Sequence, residues 1–426
     1  MSFITNIRSV AKYESKILVR SWFFRIFTLL AVVFLGFFNF AMMLMEDNFG
    51  LWFAKSVSSN IPYLNLLLLN TGQAVVAVFL SSEFLKRDKK LDTSEVFYVR
   101  PLSNAEYVVG KIWGNLRVFL FLNLLVLAIV LAFNFMASGV TVYLPAYLVY
   151  FFLISIPTLI FIIGLSIFLM LLLKNQALTF ILLLGYIGLT LFYIQDKFYY
   201  LFDYMVYNLP LFKSTIVGFS NLELILNHRA IYFFAGLGFI FFTIFLFKRL
   251  PNARRSHYPW LFLSFCMFLL MVTAGFRHVR SILREGEMRA LYTSINNKYV
   301  YEPKMAIDYY DISVEQKSET IRSVVGMEGT ALAASEVFIF CLNPGLRVEE
   351  VKDGEKSLNF KREEQILAVD FGREIEKGDT ISFSVSYEGR IKDDFCYLDI
   401  PEEVLQQPYD KEMLKLDKKY SFQTSD

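Results

Sequence analysis

Histidine and cysteine are nearly missing, with three of each in 426 residues. A metal centre needs several nitrogen or sulfur ligands converging on one point. His228, His257 and His278 fall at the edges of apolar segments and make a poor ligand set, so no metal-binding or catalytic residue is expected. A G-x-x-x-x-G-K-[ST] phosphate loop is also missing: Gly110-Lys111 lacks the upstream glycine and the following hydroxyl, which excludes nucleotide hydrolysis through that motif. Charged residues make up only 19% of the chain and avoid the middles of the apolar runs. With no Asp, Glu or His read at mid-span, a proton- or ion-coupled carrier is disfavoured. A net charge of +2 gives no basic excess of the kind that marks nucleic-acid binding.

Apolar residues dominate instead. They make up 55% of the sequence and include 45 Phe, far more than a soluble domain of this size requires. A membrane-spanning helix needs about 20 predominantly apolar residues, and seven runs qualify, near 22–45, 61–84, 112–136, 143–173, 177–195, 230–247 and 258–276. The first is read as a retained span, because a long mixed segment precedes it and no small-residue cleavage site follows. Lys and Arg are retained on the cytoplasmic side. With the N-terminus inside, fifteen of these residues fall in cytoplasmic connections and four (Lys55, Lys197, Lys213, Arg229) on the opposite side. Seven crossings then place everything after about Gly275 outside.

The expected fold class is a mainly α membrane protein, with a seventh span and a C-terminal all-β sandwich after a six-span bundle. Residues 1–21 carry Ile4, Ile7, Val10, Ala11, Ile17 and Leu18 among basic residues. That spacing suits a cytoplasmic helix lying on the membrane surface, or a helical extension of the first span. Residues 22–250 hold six spans, with an outer loop at 195–230 that is too apolar for a solvated turn. Its Leu209-Pro210 break reads as a re-entrant pair of half-helices or an interfacial hairpin. Span seven (258–276) is followed by a polar helical linker (277–299) and an extracytoplasmic β region (300–426) ending in an irregular tail. Within that region Ile381, Phe383, Val385 and Tyr387 recur every second residue, and "KDGE" at 352–355 and "EKGD" at 376–379 signal hairpins.

The cytoplasmic connector between the second and third spans, 85–111, is much longer than a reversal of direction needs and must offer a surface. Glu83, Lys86, Arg87, Asp92, Thr93, Ser94, Glu95, Pro101, Leu102, Ser103, Glu106, Tyr107, Gly110 and Lys111 form a run that is acidic and basic, then a turn, then "E-Y-x-x-G-K". This pattern resembles that of type-2 ABC transporter permeases, over residues 1–250. Asp92 stands where the family has Gly, and Asp also suits turns. The plainer reading is a solvated loop whose basic residues set topology. The resemblance implies a coupling helix docked on a separate ATPase subunit that binds the ATP and Mg, with no cofactor held by this chain. The implied ATPase-coupling residues are Glu83, Arg87, Asp92, Thr93, Glu95, Arg100, Pro101, Glu106 and Lys111. A second copy or a sister permease would complete the path through the lipid bilayer.

Amides in the first six spans, Asn39, Asn65, Asn70, Gln73 and Asn123, are candidates to line that path, together with Ser155 and Asn134. Membrane amides also serve as interhelical fasteners worth about 1 kcal/mol. Pro157 is read as a kink in the fourth span.

The segments "MAIDYYDISVEQ", "FCLNPGLRVEEVKDGEKSLNF" and "QILAVDFGREIEKGDTISFSVSYEG" resemble the N-terminal β-domain of gluzincin zinc aminopeptidases over about 300–400. That family's H-E-x-x-H zinc motif is not present in this sequence, so the chain is not expected to be an enzyme by itself. A separate extracytoplasmic peptidase is an implied partner. A Cys341–Cys396 bridge is chemically permitted outside the cell, and both cysteines also read as free residues in core strands. The expected function is the permease subunit of an ATP-binding-cassette exporter in a bacterial cytoplasmic membrane. The alternative is a membrane-anchored adaptor that presents the β-domain to a periplasmic peptidase or envelope partner.

Overall fold

The computed structural model describes residues 3–44, 60–90, 102–136, 142–194, 197–206, 222–247, 258–317, 320–392, 395 and 398, with the side chains of 60 and 81–90 outside that description. Helices come first: α1 (Phe3–Arg20), α2 (Trp22–Leu44), α3 (Asn60–Lys90), α4 (Asn104–Met136), α5 (Leu144–Leu173), α6 (Gln176–Ile194), α7 (Leu222–Leu246) and α8 (Tyr258–Lys298). Of these, α2 to α8 are long and apolar enough to cross a membrane, which is the pattern of a multi-pass membrane protein. Two compact units divide within α8, between Val279 and Arg280.

Local chemistry sets several helix ends. A capping box opens α4: the Glu106 amide donates to Ser103 Oγ at 3.1 Å, and the Ser103 amide donates to Glu106 Oε2 at 2.6 Å. The third apolar helix therefore begins at Asn104, ahead of the apolar run that starts at 112. Asn175 caps α6 by accepting from the amides of Ala177 and Leu178. Just before it, Lys174 adopts φ 54° and ends α5.

Inside α5 the hydrogen-bond pattern changes. Pro157 has no N–H to offer the Leu153 carbonyl four residues earlier, and the backbone widens into a π turn over Phe151–Ser155, with the Ile156 amide reaching back to Phe151. The expected kink is thus a π turn that leaves the Leu153 carbonyl without its helical partner.

Helices α5 and α7 meet backbone to backbone. A Cβ placed on Gly236 would lie 2.7 Å from the backbone of Ile160 and Phe161, and one on Gly164 would lie 2.7 Å from the Gly236 carbonyl. Small residues allow this approach, which gives van der Waals packing where lipid supplies no hydrophobic drive.

The second unit contains two antiparallel sheets. The first has strand order β1-β2-β8-β4-β5 and the second β3-β7-β6. The strands are β1 (Met305–Lys317), β2 (Thr320–Ala331), β3 (Ser335–Cys341), β4 (Leu346–Asp353), β5 (Lys356–Ser357), β6 (Asn359–Glu363), β7 (Ile366–Ile375) and β8 (Thr380–Gly389). Gly354 (φ 61°) turns the β4–β5 hairpin read at 352–355, whereas the segment at 376–379, with Gly378 at φ 96°, is not the expected hairpin: it carries the chain from β7 in one sheet to β8 in the other. Between the sheets, Ile381, Phe383 and Val385 of β8 pack with Phe338, Val369 and Phe371, and Tyr387 lies against them. Across the other face of the five-stranded sheet runs a row of alternating charge, Glu315, Arg322, Glu388 and Arg347, in cross-strand register. The Cys341 thiol is exposed at the end of β3, and burial of the sulfur's surroundings pushes its pKa up. The Cys341–Cys396 pairing lies outside the described residues at Cys396.

The C-terminal half of α8 is tied to this sandwich. Gln365 donates to the Tyr292 carbonyl at 2.7 Å and to Asn296 Oδ1 at 2.9 Å, and Lys298 and Tyr299 both donate to the Glu363 carboxylate. These bonds hold the Glu363 pKa below the ordinary carboxylate value, Tyr299 contributing most and then Lys298.

Two outcomes are expected. Gly236→Ala should lower the melting temperature of the detergent-solubilised chain, by overpacking worth about 1–3 kcal/mol. Gly185→Ala, inside α6 where a Cβ meets nothing within 4 Å, should not lower it, since alanine favours a helix interior by about 0.5–1 kcal/mol over glycine. Because the folded pKa of Glu363 is depressed, its contribution is present above the ordinary carboxylate range and is lost as pH falls through the folded value. The wild-type advantage over Glu363→Gln in unfolding of the β unit should therefore be present at neutral pH and vanish in acid.

Candidate functional site

Polar side chains in the apolar bundle concentrate in three places, each of which joins helices distant in sequence.

The first is a set of amides. Asn39 of α2 and Asn65 of α3 exchange hydrogen bonds at 2.7 and 3.0 Å, and each also donates to the carbonyl one turn earlier in its own helix. Further along, Asn70 donates to Ser155 Oγ (3.2 Å) and Ser155 donates to Asn123 Oδ1 (2.7 Å). Asn123 donates to Gln73 Oε1 (2.8 Å), and Gln73 donates back to Asn70 Oδ1 (2.6 Å). This closes a ring of four side chains from α3, α4 and the π turn of α5. All five amides expected along a path are buried, and the structure brings them together as one pair and one ring. Asn134 stands apart, bonded to the Tyr147 hydroxyl at 2.9 Å.

The second place is Arg229. Sequence reading assigns it to an outer loop, but α7 begins at Leu222 and carries Arg229 as its eighth residue, 2% exposed. Its guanidinium donates to the carbonyls of Leu153 (2.7 Å), Tyr204 (2.7 Å) and Ile154 (3.3 Å), and to Thr158 Oγ1 (2.8 Å). The Leu153 carbonyl is the one that Pro157 leaves unserved. Here the proline's deficit and the arginine's surplus of donors match.

Residues 197–206 lie against this arginine as a short strap. Phe198, Tyr199, Tyr200 and Val206 all have φ between 53° and 63°, a left-handed conformation that costs bulky residues about 1–2 kcal/mol each. Side chains from four helices hold it by its carbonyls. Nε2 of His278 donates to Tyr199 at 2.8 Å, Nε2 of His228 to Tyr200 at 3.0 Å, and the Tyr232 hydroxyl to Leu201. Arg229 and Thr158 both reach Tyr204, and the Tyr63 hydroxyl reaches Val206 at 3.2 Å. The Asp203 carboxylate is buried within electrostatic reach of Arg229.

The reading of Arg229 as an outer-loop residue is thereby corrected, while His228 and Arg229 remain in the first third of α7 and not at its middle. His228, Arg229 and His278 are buried on helices long enough to cross a membrane. The two imidazoles have ring centroids 5.1 Å apart, each with Nε2 committed to a strap carbonyl. Among the described residues no three His, Cys, Asp or Glu side chains gather into a metal-binding group. The Leu209-Pro210 break of the expected re-entrant loop lies outside the described residues, and its last stretch, from Leu222, is the start of α7. Sequence missed this site because Arg229 sits one residue before its apolar run begins; its available signal was Pro157, a break inside an apolar helix that some donor has to serve.

The third place joins α1 to the start of α4. Gly110 and Gly114 leave a flat face on which α1 rests: a Cβ on either would come within 2.7 Å of Val10 or Glu14. Around this seam Glu14 pairs with Lys111 at 3.1 Å, both almost fully buried. Asn6 donates to Glu106 at 2.8 Å, and Arg117 donates to the Ala11 carbonyl at 2.8 Å and to Ser15 Oγ. Of the residues expected to contact an ATPase, Glu106 and Lys111 thus have their side chains committed to α1. Glu83 and Arg87 lie on α3 with side chains outside the description, and Asp92, Thr93, Glu95, Arg100 and Pro101 lie outside the described residues.

No family model matches the chain, and no curated protein matches it. Among solved structures, an M1 zinc metallopeptidase mutant from Deinococcus radiodurans with a bound Tyr-Ser-Ala substrate is similar at 17% identity. The match covers 20% of this chain and 21% of the metallopeptidase, with a TM-score of 0.19.

Replacing Arg229 with Met should orphan buried carbonyls at about 1–3 kcal/mol each, lowering thermal stability and speeding amide exchange across 199–206. Pro157→Ala gives the Leu153 carbonyl an amide partner, so the double variant should lose less than the sum of the two single changes. Hydrogen exchange with mass spectrometry and detergent melts measure both, and unchanged exchange in Arg229→Met would refute the role of Arg229 in holding the strap.

Proposed function

We propose that this chain is a permease subunit of an ATP-driven transporter, working with a separate ATPase that binds ATP and Mg and with a second permease subunit. The observation that carries this reading is the connector at 85–111, whose last two implied coupling residues, Glu106 and Lys111, are fastened to Asn6 and Glu14 of α1. A push delivered to the connector would reach α4 and α1 together, because the Gly110 and Gly114 face leaves no slack between them. Charged and polar residues upstream suit a docking surface that engages and releases through a cycle.

Two further features support a paired assembly. Only 17% of the apolar window of α2, 22% of that of α6 and 11% of that of α8 is buried within one chain, against 44–67% for α3, α4, α5 and α7. The first, fifth and seventh spans therefore leave their faces open to lipid or to a second subunit. In this reading the buried amide ring is the fixed part of each half, and the path forms between halves. The N-terminus and connector are cytoplasmic, and the β unit is outside.

The test is recovery of the chain from native membranes with its companions. An ATPase subunit should co-purify, and Glu95→Arg or Arg100→Glu should abolish its recovery or uncouple its hydrolysis while leaving the permease folded. Persistent absence of any ATPase, or a cysteine at Ser94 labelled from outside the cell, would overturn the proposal. An orphan peptidase recovered in the ATPase's place would favour the membrane-anchored adaptor.

A further inference from the structure

The four sheet edges of the β unit are not alike. Edge strands β5, β6 and β3 have two, five and seven residues, whereas β1 has thirteen and pairs, among the described strands, with β2 alone. Short strands blunt an edge; a long one is a template for another chain. From Asp308 to Lys317 every residue of β1 is exposed. Over that stretch there is no proline, the register irregularity lies at its beginning, between Ile307 and Tyr309, and the charges it carries, Asp308, Asp311, Glu315 and Lys317, are of both signs.

The exposed apolar residues also stand on a defined face. Antiparallel partners share a face, and register places Tyr310 beside Met327 and Phe383, and Ile312 beside Val325 and Val385. Phe383 and Val385 are core residues. Tyr310, Ile312 and Val314 therefore continue the inner face of the five-stranded sheet beyond the cover of its three-stranded partner, and each remains more than half exposed.

We propose that β1 is the contact between the β units of two copies of this chain, paired antiparallel about a local two-fold axis at Val314. In that register Val314 faces its own counterpart and Ile312 faces the partner's Gln316. On the opposite face Asp311 stands across from the partner's Lys317, twice by symmetry, and Ser313 from the partner's Glu315. Moving the axis by one residue to Ser313 would set Asp311 against Glu315, two carboxylates in direct opposition, which is destabilising. Charge thus favours the Val314 register, in which the strand complements itself, over the Ser313 one. Two copies inserted in one membrane with the same orientation also meet at raised effective concentration. The inference needs only that shared membrane and is separate from the transport reading.

The test uses the full chain in membranes, with Cys266, Cys341 and Cys396 replaced by alanine. Facing residues at the axis have Cβ atoms about 5 Å apart, so Val314→Cys should oxidise readily to a disulfide-linked dimer. Val324→Cys, on β2 and equally exposed, should not, because the two copies would lie three strand spacings apart, about 14 Å. Asp311→Lys in the Val314→Cys background should reduce cross-linking on the order of fivefold, and adding Lys317→Asp should restore it. Absence of the Val314→Cys dimer, equal dimer at Val324→Cys, or failure of the charge swap to restore cross-linking would overturn the inference. An ATPase recovered with a chain that does not cross-link would overturn this contact alone, and cross-linking without an ATPase would leave the contact standing and remove the transport reading.

Discussion

A polar group buried in an apolar bundle is costly without a partner inside the protein, and Arg229 is where that constraint is most severe. A guanidinium has five N–H donors and a charge that is expensive to bury. Here it is accommodated by two irregular stretches of backbone, the π turn of α5 and the strap at 197–206, each of which presents carbonyls that regular helix would have consumed. Pro157 frees a carbonyl, the strap holds bulky residues at positive φ, and the arginine draws both into one arrangement.

The amide ring adjoins this arrangement through Ser155, the last residue of the π turn. On one side of the turn Arg229 holds its carbonyls; on the other, Ser155 closes the contact with Asn70, Gln73 and Asn123. Sequence patterning, backbone geometry and packing therefore converge on a five-residue stretch of α5. The same logic governs the opposite seam, where Glu14 and Lys111 are buried together and two glycines bring α1 against α4. A buried ion pair is a costly fastener, and its persistence there is consistent with a junction that has to keep one geometry.

Much of the architecture was legible in the sequence for a simple reason: apolar length and period-two alternation are strong signals. The seven long helices and the alternation through Ile381, Phe383 and Val385 come directly from them. Helix ends were less legible, because capping by Ser103 and Glu106 extends α4 through residues that look like polar connector, and because buried partners let α7 begin at Leu222 although its first two turns include a histidine and an arginine. The five amides were recognised one by one, but their grouping into a pair and a ring depends on helix rotation, which residue type does not encode. Arg229 was misplaced because a charge beside an apolar run is ordinarily a topology marker. Only the distant proline and the strap turn it into an interior residue.

The closed ring of amides has a mechanical corollary. Asn70 and Asn123 each also bond a carbonyl in their own helix, so the sense in which hydrogen bonds circulate is pinned. Any slide of α3, α4 or α5 past another would have to break several of these buried links at once. Those three helices must travel as a single rigid body, and whatever flexing the protein performs is left to the sparsely packed helices at its margin.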